Sequence, residues 1–303
     1  MMEQPNCQKP PFFIVGAHRS GTTMLRLMIN SHPNLAVPFE SGFIPFFYRE
    51  LAKYGDLRIK DNAARLLKDI QEDPSVKKGE LIHDPEAILS YAITGYADLV
   101  NAIFEVYARK KGKKRWGDKT PGYVGELDII WKLFPGCRII HLVRDGRDVA
   151  LSLSKIEWGS GHIPKLAENW RWMTTLGHKI GAILGEQYYL EVRYEDLVLK
   201  TEETIRTICT FLQEPYYKEM LAFSTTAEME MPKESMKWHK NSVRPPDPNK
   251  VYMWKHKMSL SDRIIFEQIA GSALELFGYE REKHPSTLGS RLKRLYYCVV
   301  RRW

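Results

Sequence analysis

The stretch that most constrains this chain is its first apolar run together with the glycine-bearing loop and the helix after it. Phe12-Phe13-Ile14-Val15 is short and unbroken, with prolines before it and Gly16 after it, as in a strand buried on both faces. The loop Gly16-Ala17-His18-Arg19-Ser20-Gly21-Thr22-Thr23 comes next, then an apolar helix carrying Met24, Leu25, Leu27, Met28 and Ile29. That helix must end before Pro33, because the residue preceding a proline is pushed out of the α region. Strand, glycine loop and helix make the opening unit of a doubly wound α/β fold.

The same unit recurs twice. Arg138-Ile139-Ile140-His141-Leu142-Val143 leads through Arg144-Asp145-Gly146-Arg147 into a helix from Asp148. Tyr188 to Arg193 leads to a helix over Thr201 to Leu212, with Glu202 and Glu203 in its first turn, where they suit the helix dipole. Strands alternating with helices predict a parallel sheet. Between the first two units, residues 42–134 read as a helical region with apolar positions such as Leu99, Ile103 and Phe104. Pro232 to Lys250, with Pro245-Pro246-Asp247-Pro248 at its centre, reads as a long ordered loop, followed by a helix over Ser261 to Phe277 that Gly278 closes. The expected organisation is an N-terminal tail over 1–11, one α/β domain with a central parallel sheet over 12–285, and a basic amphipathic helix over 286–303. In that last helix Leu288, Leu292, Leu295 and Val299 share a face, while Arg291, Lys293, Arg294, Arg301 and Arg302 make the rest basic. It either docks on its own domain or makes weak contact with an anionic membrane.

Composition narrows the classes. Of 303 residues 44% are hydrophobic and 27% charged, which excludes a disordered chain, and a net charge of +8 favours anionic partners. Cys7, Cys137, Cys209 and Cys298 lie far apart with no C-x-x-C pair, against a disulfide framework or zinc site and for a reducing compartment. The first residues lack a signal sequence, and no run of about 18 apolar residues occurs, so the expected location is cytoplasmic.

A buried strand that passes through a glycine loop into a helix leaves backbone N–H groups and the positive end of a helix dipole at one spot, which suits an anion. Gly16 to Gly21 has the G-x-x-x-x-G frame of an ATP-binding loop, but Thr22-Thr23 stands where that loop needs Lys-Ser/Thr. Arg19, Ser20, Thr22 and Thr23 suit one terminal phosphate; the alternative is a structural glycine turn. Arg144 leaves the end of the second strand, where ligands of open parallel sheets bind, and Ser152 lies two turns into the next helix facing back. Together they could hold a second phosphate, unless Arg144 to Arg147 is a solvated turn with internal ion pairs.

These motifs resemble the sulfotransferases that use 3′-phosphoadenosine 5′-phosphosulfate (PAPS). Phe13 to Thr23 is similar to the family's 5′-phosphosulfate loop, and Arg144 with Ser152 resemble its 3′-phosphate pair. Trp116-Gly117-Asp118-Lys119-Thr120-Pro121 and Arg193-Tyr194-Glu195-Asp196-Leu197 match two further signatures in the right order, so the likeness runs from about Phe12 to Gly278. The resemblance implies a P-loop-like sulfotransferase fold, PAPS as co-substrate with adenosine 3′,5′-bisphosphate as product, no catalytic metal, and His18 and Gly21 in the donor loop. It also implies Tyr194 near the adenine and Lys250, in Pro248-Asn249-Lys250, closing over the 3′-phosphate. Arg19 stands where cytosolic small-molecule members carry lysine and where bacterial and protein-tyrosine members carry arginine. Pro121 follows Lys119-Thr120 where cytosolic members place a catalytic histidine, whereas the protein-tyrosine branch uses a glutamate after the first helix, a position that Glu40 occupies.

Glu40 is therefore the expected base and Arg19 with Lys119 the expected cations for sulfuryl transfer, with His18 and His162 as fallback bases and His141 as structural. Phe39 and Phe43 flank Glu40, and their apolar surface is expected to raise its pKa. Glu40 could instead pair with a surface cation, and Lys119 could be a solvated strand-end lysine. Phe39, Phe43, Phe46, Phe47, Tyr48 and Trp158 are candidates for an apolar acceptor pocket, or simply core. The expected acceptor is a hydroxyl of a small molecule or sugar. A peptide tyrosine, an ATP-using P-loop kinase and a nucleic-acid-binding module are the competing readings, the last disfavoured because basic residues are spread along the chain.

Overall fold

The computed structural model describes residues 9–156 and 161–282. Five strands, β1 (Phe12–Val15), β2 (Leu35–Ala36), β3 (Arg115–Lys119), β4 (Arg138–Val143) and β5 (Tyr189–Arg193), form one sheet in the order β2-β3-β1-β4-β5. Every pairing is parallel, with Phe12 opposite Gly117 on one side of β1 and Arg138 on the other. β1 is the middle strand, and its four residues are completely buried. Its side chains alternate between the two faces, as a strand's period of two requires. Phe13 and Val15 join the core under helices α2 (Tyr96–Lys110), α4 (Ile163–Leu184) and α6 (Leu260–Leu276), while Phe12 and Ile14 join the core under α1 (Thr22–Asn30) and α5 (Thr201–Leu212). An unbroken apolar run is thus what a strand covered on both sides needs.

The expected helical region over 42–134 is corrected by β3, which pairs directly with β1. Arg115-Trp116-Gly117-Asp118-Lys119 holds a single large apolar residue, so it does not read as an apolar strand, yet all five positions are buried. Arg115 Nε and Nη1 are held by carbonyls of Pro10 at 2.8 Å and Leu212 at 2.6 Å and by Glu214, while its buried Nη2 has no hydrogen-bond partner among the described residues. Gly117 must lack a side chain, because a Cβ there would lie 2.4 Å from the Phe12 ring. The two-residue β2 is too short to read from sequence.

Helix α3 (Gly146–Leu153) starts earlier than Asp148, since Asp145 caps it by accepting from the Arg147 N–H. A short helix over Tyr194–Leu199, absent from the sequence reading, comes directly after β5. Residues 232–250 fold as short turns of helix at Lys233–Ser235, Met236–His239 and Pro248–Lys250 rather than as plain loop. The expected helix over 286–303 and Trp158 lie outside the described residues. Because the strands are parallel, Val15, Lys119, Val143 and Arg193 end at one edge of the sheet, and the segments that leave them converge there.

Candidate active site

At that edge lies a cavity of about 730 Å³. One wall is the loop between β1 and α1. Gly21, with φ 93°, sits in the left-handed region at the helix start, and a Cβ there would lie 2.4 Å from the Tyr194 ring, so only glycine lets the loop approach that ring. No side chain caps α1 and its first turn holds no acidic residue, which leaves the helix N-terminus electropositive. Arg19 is a non-glycine residue at φ 70°, a conformation that costs roughly 1–3 kcal/mol and is held by its surroundings. Its Nε donates to Ser152 Oγ at 3.0 Å, and its carbonyl accepts from Arg144 at 3.2 Å. Ser20 is fully buried, and its Oγ has no hydrogen-bond partner among the described residues. Such an orphaned hydroxyl is destabilising unless a ligand oxygen meets it.

Arg144 spans the second wall. It donates to the Lys250 carbonyl at 3.1 Å, approaches Asp148 at 3.6 Å and lies 4.4 Å over the Tyr194 ring, while its Nε has no hydrogen-bond partner among the described residues. Ser152, expected to pair with Arg144, is taken by Arg19, because the left-handed turn aims the Arg19 side chain across the cavity toward α3. The two guanidiniums consequently form one cationic surface. Burial, followed by repulsion from Arg144, lowers the pKa of Arg19, so an anion placed between the two would be strongly bound.

Glu40 lines the cavity and pairs with Lys119, which lies beneath its floor. Lys119 is fully buried rather than solvated, and its Nζ donates to Glu40 Oε1 at 2.5 Å and to Thr23 Oγ1 at 3.4 Å. The expected rise in the Glu40 pKa is overturned. Burial does push it up, but the charge and hydrogen bond of Lys119, with smaller help from His18 and His239, hold it below the ordinary carboxylate value. Lys119 is itself lowered by complete burial, against the opposing pull of Glu40.

His18, Arg19, Gly21, Thr22, Thr23 and Glu40 line the cavity together with Arg144, Ser152, Tyr194 and Lys250. Lys119 and Ser20 are completely buried and do not line it; Lys119 touches two residues that do, Thr23 and Glu40. His162 is not among the lining residues; it caps α4 by accepting from the Lys165 N–H at 3.2 Å. His141 is buried in β4 against Glu191 and the Tyr189 ring. Of the described aromatics proposed for an acceptor pocket only Phe39 lines the cavity: Phe43 and Phe47 are in the core, Phe46 is exposed and Tyr48 packs against the core. The far wall comes instead from residues that the sequence reading passed over. Trp238 has Lys78 at 5.5 Å and Lys237 at 4.3 Å from its ring, and His239 meets Phe39 edge-on. Burial lowers the His239 pKa to about 4, so that it is neutral above that pH. The density of Lys, Trp and His in 237–240 was the available signal, masked by the reading of this segment as loop.

Fold and site define an α/β protein of P-loop type whose cavity wall carries two guanidiniums and an uncapped helix N-terminus, with a paired carboxylate and lysine beside them. The chain belongs to the Sulfotransferase family, whose pattern matches residues 10–219. It is similar to a protein-tyrosine sulfotransferase of Drosophila melanogaster (25% identity, 71% of this chain and 40% of that protein) and to nodulation protein NoeE of Sinorhizobium fredii (23%, 89% and 66%). A match to a protein of Aquifex aeolicus covers 27% of its length, so the chain spans less than half of two of these curated relatives and 66% of the third. Among solved structures it shares its fold with the sulfotransferase domain of a Synechococcus olefin synthase (TM-score 0.63, 24% identity, 92% of this chain and 99% of that one). The sulfotransferase domain from the curacin biosynthetic pathway is also similar (TM-score 0.57, 20% identity, 90% and 99%).

Proposed function

We propose that this sulfotransferase moves the sulfuryl group of PAPS to a hydroxyl of a small molecule or sugar. The observation that carries the reading is the cationic surface of Arg19 and Arg144 beside the orphaned Ser20 hydroxyl, two anion-holding groups at the ends of adjacent strands. In this reading Arg19, Ser20, Gly21, Thr22 and Thr23 hold the 5′ end of the donor, with His18 alongside. Arg144, Ser152 and Lys250 hold the 3′-phosphate, and Tyr194, packed under Arg144, meets the adenine.

The acceptor oxygen forms a bond to sulfur as the bond from sulfur to the 5′-phosphate oxygen breaks, and adenosine 3′,5′-bisphosphate departs with the electron pair. Glu40, kept ionised at neutral pH by Lys119, takes the acceptor's proton. Lys119 and Arg19 offset the charge that grows on the leaving phosphate and the equatorial oxygens. This chemistry asks no metal to supply the base or the charge. No helix among the described residues is long and apolar enough to cross a membrane, and the buried free thiols of Cys137 and Cys209 support a reducing, cytoplasmic location.

Protein-tyrosine sulfotransfer is the second reading, favoured by the name of the Drosophila relative and by Glu40 in place of a histidine. The test is mass spectrometry of PAPS, the protein and a metabolite extract, run beside a tyrosine-containing peptide. A metabolite gaining one SO₃ unit is the expected result. A gain on the peptide alone selects the second reading, and phosphate transfer from ATP with no sulfated product would overturn both.

A further inference from the structure

Glu40 and Ser41 run along the C-terminal end of β3 in such a way that adjacent side chains grip opposite faces of it. Lys119 Nζ donates to Glu40 Oε1 at 2.5 Å, and Ser41 Oγ donates to Asp118 Oδ2, also at 2.5 Å. Successive side chains of a strand point to opposite sides, so Asp118-Lys119 holds the dipeptide Glu40-Ser41 from both. The turn after Ser41 is pinned as well. The Ser41 and Gly42 N–H groups donate to Thr120 Oγ1 at 3.3 and 3.4 Å, and the Ile44 N–H donates to the Tyr123 hydroxyl at 3.0 Å. Tyr123 also lies 3.1 Å from Ser41 Oγ. Ser41 and Asp118 are buried, so water does not compete for their bond. A slip by one residue would set Glu40 against Asp118, two carboxylates facing each other, and would leave Lys119 without its carboxylate.

We infer that Asp118, acting through Ser41, is the positioning residue that fixes the register of the Glu40 carboxylate against Lys119 and so decides where the acceptor's proton is taken. The inference rests on the reading of Glu40 as base. It has an electrostatic side too. The groups facing Asp118 are Ser41 and Thr120, which hydrogen-bond it, together with the Lys119 charge, the Glu40 carboxylate and the Tyr123 hydroxyl. Burial raises the Asp118 pKa to about 7 against those hydrogen bonds and the lysine. Ionisation of Asp118 then brings a second negative charge beside Lys119, which weakens the lysine's hold on Glu40 and strengthens Glu40 as a base.

The experiment compares wild type, Ser41→Ala, Ser41→Thr and Asp118→Asn in two assays. One is binding of adenosine 3′,5′-bisphosphate by calorimetry; the other is PAPS turnover against pH, with water and with 2-naphthol as acceptors. Expected are unchanged bisphosphate affinity in all four, a fall of about 10²-fold in kcat for Ser41→Ala with the KM for PAPS unchanged, and recovery in Ser41→Thr, because misplacing a reacting group by about 1 Å costs that much. Wild type should gain rate through about pH 7, and Asp118→Asn should lose that inflection. Should Ser41→Ala fail to fold, the pH profile of Asp118→Asn decides alone. Wild-type kcat and pH profile in a folded Ser41→Ala or Asp118→Asn would overturn the inference. Failure of wild type to bind the bisphosphate would instead remove the donor reading on which it stands.

Discussion

At the scale of single residues the site is governed by one ion pair between a buried lysine and a half-buried carboxylate. A carboxylate at 2.5 Å from a buried lysine stays ionised well into mild acid, so Glu40 can accept a proton across the neutral range without the raised pKa expected for an apolar setting. Glu40→Gln keeps shape and hydrogen bonding but removes the proton acceptor, and turnover should fall by about 10²–10⁴-fold while bisphosphate affinity holds. Lys119→Ala should cut turnover as well, and because it leaves the half-buried Glu40 without its cation, the acid limb of the rate profile should move to higher pH. An unchanged acid limb in Lys119→Ala would show that Lys119 does not hold Glu40 down. Arg144→Ala removes the proposed phosphate donor and leaves the buried Asp148 carboxylate without its cation, so bisphosphate binding should be largely lost and the melting temperature of the free protein should fall as well. Calorimetry and a melting scan separate those two effects. Glu40 was singled out only through the resemblance to the protein-tyrosine branch, which has a glutamate at that distance from the glycine loop. Its lysine partner's burial was not legible, because that depends on a strand far along the chain.

At the scale of elements, legibility tracked apolar content. β1, β4 and β5 announce themselves by runs such as Phe12 to Val15, and α1 by its glycine start and its proline stop. β3 does not, since its burial is secured by carbonyl and carboxylate partners of Arg115, by the Glu40 contact to Lys119 and by a glycine under a phenylalanine ring. No periodicity test detects a strand made that way. The segment over 232–250 is legible by composition as a punctuated loop, but the packing of Trp238 with Lys78 that places it against the cavity joins residues distant in sequence. The β1–α1 turn yields a prediction of its own. Gly21→Ala would force a Cβ into the Tyr194 ring at a positive φ, and should cost about 1–3 kcal/mol of stability together with bisphosphate affinity. A variant as stable as wild type in denaturant titration would show that the loop relaxes freely.

At the scale of the whole molecule, the sheet edge collects polar and charged groups that the fold must hold at a cost, and that cost depends on pH. Asp118 has a folded-state pKa of about 7, above its ordinary value of 3.8, so between those values the folded chain keeps a proton that the unfolded chain releases. Stability from this group is therefore present in acid and is lost as pH rises toward 7, by an amount on the order of 4 kcal/mol at most. The difference in unfolding free energy between wild type and Asp118→Asn should shift against wild type across that window; a difference that is flat with pH would contradict the burial assigned to Asp118. In the proposed function, a donor with phosphate groups at both ends of its ribose would act on the same edge in the opposite sense, by bridging Arg19, Arg144 and the Ser20 hydroxyl. The most direct measurement is a thermal melt of the protein with adenosine 3′,5′-bisphosphate and, separately, with ATP and magnesium. The bisphosphate should stabilise by about 2.7 kcal/mol at a hundredfold excess over its dissociation constant, and ATP with magnesium by much less. Greater stabilisation by ATP with magnesium than by the bisphosphate would contradict the assignment of this site to PAPS.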